Sequence, residues 1–110
     1  MNLKFFIGYD SKEDIAYRVC KYSLLKRAST NVKVTSLKLD ELISKNLYTR
    51  SIDPLASTQF TYSRFLVPKL MNYKGWAVFC DCDFIFLNDV SNLLKNLDST
   101  KALYCVKHDY

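Results

Sequence analysis

Chain breakers and processing signals are what this sequence lacks. Two glycines and two prolines in 110 residues are too few for a disordered or low-complexity chain. No apolar run nears the roughly 20 residues that span a bilayer. The apolar stretch after Met1-Asn2 is too short for a signal peptide, and no small-residue cleavage site follows it. A cytoplasmic protein with no transmembrane segment is the expectation. Polybasic runs are missing too: among the Lys and Arg residues only Lys26-Arg27 are adjacent, which argues against nucleic acid as a partner. The cysteines lack zinc spacing, since Cys80 and Cys82 are separated by a single residue and no second pair exists. Cys20, Cys80, Cys82 and Cys105 all lie in apolar segments, and core packing is expected for them. Neither a P-loop nor a further acidic cluster is present to suggest a phosphotransferase or nuclease.

What is present suffices for a core. Hydrophobic residues make up 49% of the chain and aromatics 15%, with eight Tyr and seven Phe. The length predicts one domain, residues 1–110. A net charge of +5 fits an anionic small ligand, and solubility alone accounts for it equally well.

Along the chain, strands alternate with helices. Leu3 to Gly8 reads as a strand buried on both faces, and Gly8-Tyr9-Asp10 as the turn after it. Ser11 and Asp14 resemble a capping box that opens a helix running to about Lys26. Its apolar positions are Ile15, Val19 and Tyr22 together with Ala16, Cys20 and Leu24. Val32 to Leu37 alternates as a second strand, and Asp40 is expected to cap a short helix from Glu41 to Lys45. Phe60 to Leu70 has helical spacing, with Pro68 either kinking the helix or restarting it in a first turn. Trp76 to Cys80 predicts a buried strand, and Phe84 to Leu87 resume the apolar pattern. Asp89 is expected to cap a short helix, and Ala102 to Val106 to form a last strand. The tail Lys107-His108-Asp109-Tyr110 carries no assigned role. This alternation implies a mostly parallel sheet covered on both faces, in three layers.

Asp81-Cys82-Asp83 is the sharpest chemical feature. In an extended backbone the side chains at i and i+2 share a face, so Asp81 and Asp83 are expected to project together. Adjacent carboxylates favour a hard divalent cation, Mn2+ or Mg2+, with positions left for water and phosphate oxygens. Such a pair at the C-terminal end of a buried strand stands where open α/β sheets bind ligands. Gly8-Tyr9-Asp10 ends another strand, and Thr61-Tyr62-Ser63-Arg64-Phe65 supplies a polar aromatic and a guanidinium.

With Tyr17 and Pro68-Lys69-Leu70, and with the run Val78 to Val90, these blocks resemble the nucleotide-binding half of a GT-A fold glycosyltransferase of the family 8 type. That family includes glycogenins and lipopolysaccharide galactosyl- and glucosyltransferases. The resemblance implies a Rossmann-like sheet and metal-dependent hexosyl transfer from a UDP-sugar to an unknown carbohydrate, lipid or protein acceptor. By position, the nucleotide pocket would fall on Gly8, Tyr9, Asp10 and Tyr17. Arg64 would serve the diphosphate, Asp81 the ribose and metal, and Asp83 the metal. A partly buried helix tyrosine is the competing role for Tyr17, an ordinary surface helix arginine that for Arg64, and packing the favoured one for Tyr62. A module that binds or hydrolyses the nucleotide sugar without transferring it is the alternative. The resemblance covers about half of a catalytic domain, from which a truncated fold and a homodimer or partner chain are expected.

Overall fold

The computed structural model describes residues 3–109; Met1, Asn2 and Tyr110 lie outside the described residues. Three parallel strands, β1 (Leu3–Gly8), β2 (Val32–Leu37) and β3 (Ala77–Cys80), form a sheet in the order β2-β1-β3. The central strand is the most continuously apolar one because both its faces are covered. Leu3, Phe5 and Ile7 pack on one face with Cys20 and Leu24 of helix α1 (Asp14–Arg27). Phe6 packs on the other face with Leu37 and with Leu42 of helix α2 (Leu39–Ser44). Leu70 of helix α3 (Val67–Leu70) adds to that second cluster.

The order follows from the connections. The chain leaves β1, crosses through α1 and returns as β2 on one side; it then crosses through α2 and α3 to β3 on the other. Right-handed crossovers running in opposite directions put their helices on opposite faces. The chain therefore diverges between β1 and β3, and a crevice at such a divergence is where open α/β sheets place ligands.

Several local expectations are corrected. Asp10, rather than Ser11, caps the turn before α1, its side chain accepting from Lys12 N. Helix α2 starts at Leu39 after Lys38, and Asp40 lies inside it. Phe60 to Leu70 is not one helix: a 3-10 turn at Ser63–Leu66 leads into α3, where Pro68 sits in the first turn and needs no amide donor. Ala102 to Val106 is no strand. The segment is irregular and exposed, Leu103 at 79%, because strand preference without a neighbour to pair and pack against does not form a ladder. Cys105 is exposed with it, while Cys20, Cys80 and Cys82 are buried as expected. Phe84 to Leu87 is irregular as well, although Phe86 meets Phe5 edge-on at 5.6 Å. On α1, Ile15, Val19 and Tyr22 face outward, and the inward stripe is Cys20, Ser23 and Leu24. The cap at Asp89 is as expected: its carboxylate accepts from Ser91 N at 3.0 Å and opens the 3-10 turn Val90–Asn96.

Candidate functional site

The register Ile7↔Cys80 brings β1 and β3 to the same level before each chain leaves the sheet. Gly8-Tyr9-Asp10 and Asp81-Cys82-Asp83 thus emerge side by side on strands about 4.8 Å apart. A third segment closes over them. Phe60, buried, lies against Gly8 so tightly that a Cβ on Gly8 would stand 2.5 Å from its ring. The requirement for glycine there is one of space.

Each sequence-predicted residue can now be placed. Tyr9 meets the Tyr17 ring edge-on at 5.1 Å, and its hydroxyl donates to Asp14 Oδ1 at 2.6 Å. That bond raises the Tyr9 phenol above its ordinary range and, with help from Arg18, lowers Asp14. The Lys38 ammonium lies 5.0 Å from the centre of the Tyr9 ring. Asp10 is buried, and both its carboxylate oxygens are engaged, with Lys12 N at 3.0 Å and Gln59 N at 3.2 Å. Gln59 completes this tie by accepting from Ser11 N and donating to Ser11 Oγ. Asp10 is therefore a brace between two loops.

Arg64 is half-buried, its guanidinium carbon 5.5 Å from the centre of the Phe60 ring and 5.2 Å from that of Phe79. Its guanidinium donates to the Phe60 carbonyl at 3.3 Å and lies 3.7 Å from Asp81 Oδ1. Beside it in sequence, the Ser63 hydroxyl is buried without a hydrogen-bond partner. Tyr62 belongs elsewhere, with its hydroxyl on Asp53 and its ring under Arg50.

The strand ends at Cys80, and a turn at Cys82-Asp83 interrupts the extended backbone. The i, i+2 argument for a shared face therefore does not carry over. Asp81 meets Arg64, whereas Asp83 is exposed, and its charge is felt at Cys20 and Cys82. Cys82 does turn inward: burial and a hydrogen bond to Glu13 at 3.1 Å push its thiol up to about 12. This bond ties the β3 turn to the β1 turn. Cys80 is likewise raised, by its hydrogen bond with Cys20 and by burial.

Among the described residues no group of three or more His, Cys, Asp or Glu is placed to hold a metal ion. The carboxylates of Asp81, partly exposed, and Asp83, exposed, offer oxygen donors to solvent. They suit a hard cation that takes its remaining ligands from water or phosphate. Gln59, Lys38, Glu13 and Asp14 belong to the constellation without having been foreseen. Only Asp14 left a signal, as an acid beside a helix start.

The fold and site define an α/β protein with a polar constellation at neighbouring strand ends of a parallel sheet. No family model matches the chain. No solved structure matches it either. It is similar to Protein CDI of Arabidopsis thaliana, 47% identical over 107 residues that take in 97% of this chain and 41% of that protein. The chain thus spans about two fifths of the length of the curated relative it matches. The resemblance to family 8 glycosyltransferases is corrected by these findings, since neither that family nor any other is matched. Its blocks are short, and they consist of features common to parallel α/β sheets: an apolar strand closed by Gly or Asp, then a capped turn.

No helix among the described residues is long and apolar enough to cross a membrane.

Proposed function

We propose that the crevice between β1 and β3 binds a nucleoside diphosphate sugar, UDP-linked, together with Mn2+ or Mg2+, in a Rossmann-like manner. In this reading the chain is the donor-binding part of a hexosyltransferase. The observation that carries it is the placing of an aromatic pair, a guanidinium paired with Asp81 and the exposed Asp83 on or beside segments that leave adjacent strand ends. Tyr9 and Tyr17 offer an aromatic wall for the base. Asp10 holds the Tyr9 loop in place. Arg64, its planar guanidinium held beside two rings, is suited to pair with phosphate oxygens bidentately. Asp81 and Asp83 would hold the cation. When bound, that ion would supply charge to stabilise a departing diphosphate. Asp81, now 3.7 Å from the Arg64 guanidinium, would then face the cation, and Arg64 would be available to the diphosphate.

A donor-binding module that does not transfer the sugar is the second reading. It is favoured by one observation: the cavity beside β2 and α2 and the one beside Asp10 and Tyr62 both have linings that leave out Asp81, Asp83 and Arg64. The exposed apolar row Ile15, Val19 and Tyr22 on α1 fits association with a second copy or another chain.

Calorimetry with UDP tests the proposal. UDP should bind with Mn2+ and weaken at least tenfold without it, and Asp83→Asn should remove most of the metal dependence while the fold stays intact. Equal affinity with and without metal, or in parent and variant, would overturn it. Sugar transfer against free UDP release then separates the two readings.

A further inference from the structure

One cavity lies away from the strand-end site. It opens beside β1, β2 and α2 and has a volume of about 190 Å3. Its floor is apolar, formed by Phe6, Leu37 and Leu42 of the second core cluster. Its rim is basic: Lys4, Lys33 and Lys45 line it, with Glu41 the one acid.

Lys4 and Lys33 are register partners on neighbouring strands. Like charges placed opposite each other in a sheet are destabilising. Neither Lys4 nor Lys33 is in the ion pairs seen among the described residues, such as Arg18 with Asp14 and Arg64 with Asp81. Lys38 also lines the cavity, but its ammonium reaches the Tyr9 ring, so only its stem counts here. Lysines on an edge strand keep other strands away. That role explains Lys33 on β2, but not a paired Lys4 on the central strand or an apolar hollow between them. A concave site with an apolar floor and a lining in which lysines outnumber the one acid has the form of a ligand pocket that concentrates anions.

We infer that this cavity binds a small amphiphilic anion, its apolar body on Phe6, Leu37 and Leu42 and its phosphate or carboxylate among Lys4, Lys33 and Lys45. The site is separate from the crevice between β1 and β3 and does not depend on the function proposed there.

Octyl phosphate titrated into the 15N-labelled chain is the test, with octanol and inorganic phosphate as controls. Octyl phosphate should saturate shifts at Phe6, Leu37 and Leu42, and each control should bind at least tenfold more weakly. Lys33→Glu and Lys45→Glu, both at exposed positions, should each weaken octyl phosphate at least fivefold. Asp83→Asn should leave it unchanged, so failure here and failure of the UDP reading are distinguishable. Octanol binding as tightly as octyl phosphate would overturn the inference. So would inorganic phosphate acting equally well, or unchanged affinity in both lysine variants.

Discussion

Replacing Gly8 by alanine tests how closely the third segment is packed onto the sheet end. The new Cβ would stand 2.5 Å from Phe60 Cδ2 and 2.6 Å from Cγ. Carbon atoms rest at about 3.5–4.0 Å, so ring or strand must move by roughly 1 Å. The ring has little freedom: Phe60 is 2% exposed and packs against Phe79, with centroids 6.4 Å apart. Gly8 does not hold a left-handed backbone, since Gly75 is the glycine with positive φ, so only space is at stake. Overpacking of this kind costs about 1–3 kcal/mol. Alanine's smaller entropy loss on folding offsets about 0.5–1 kcal/mol of it. A net loss of about 1–2 kcal/mol is expected in urea unfolding, with the slope against denaturant unchanged. Phe60→Leu removes the overlapping ring atoms and should cost about 1–3 kcal/mol alone. The double variant should then be more stable than the sum of the two losses by about 1 kcal/mol or more. Additivity within about 0.5 kcal/mol, or a neutral Gly8→Ala, would refute the steric account.

Three further outcomes follow from the same geometry. Arg64→Ala should weaken UDP but leave uridine nearly unchanged, because only UDP carries phosphates for the guanidinium; equal losses by calorimetry would mean Arg64 acts through packing on Phe60 and Phe79. Hydrogen bonds from Ser29 and Ser91 hold the Asp89 carboxyl well below its ordinary range. Its stabilising effect is therefore present above the unfolded pKa of about 3.9 and lost as pH falls below it, so the Tm gap between parent and Asp89→Asn should shrink from pH 6 to pH 3. A thiol reagent at neutral pH should modify Cys105 at once and reach Cys20, Cys80 and Cys82 only on unfolding, and mass spectrometry showing early modification of Cys82 would contradict its burial against Glu13.

The sheet was legible because hydrophobic pattern decides it. Leu3 to Gly8 and Val32 to Leu37 have the bounds expected, and the third strand is one residue shorter at its start. Legibility failed where tertiary neighbours decide. Ala102 to Val106 has strand composition, yet Leu103 and Val106 find nothing to pack on. The tie that Asp10 makes was not legible, because one of its two backbone donors is Gln59, 49 residues on. Asp81 and Asp83 were expected to face together on the premise of extended backbone, which the turn at Cys82-Asp83 breaks. Arg64 beside Asp81 depends on how the 3-10 turn is docked, and no spacing rule encodes that.

Paramagnetic broadening by Mn2+ tests the central claim most directly. Mn2+ should be added in small amounts to the 15N-labelled chain saturated with UDP. The account predicts selective loss of amide signals at Gly8 to Asp10 and at Asp81 to Asp83, reversed by excess Mg2+ and absent in Asp83→Asn. Broadening centred on other acids, such as Glu41 or Asp53, or broadening that UDP does not alter, would contradict it.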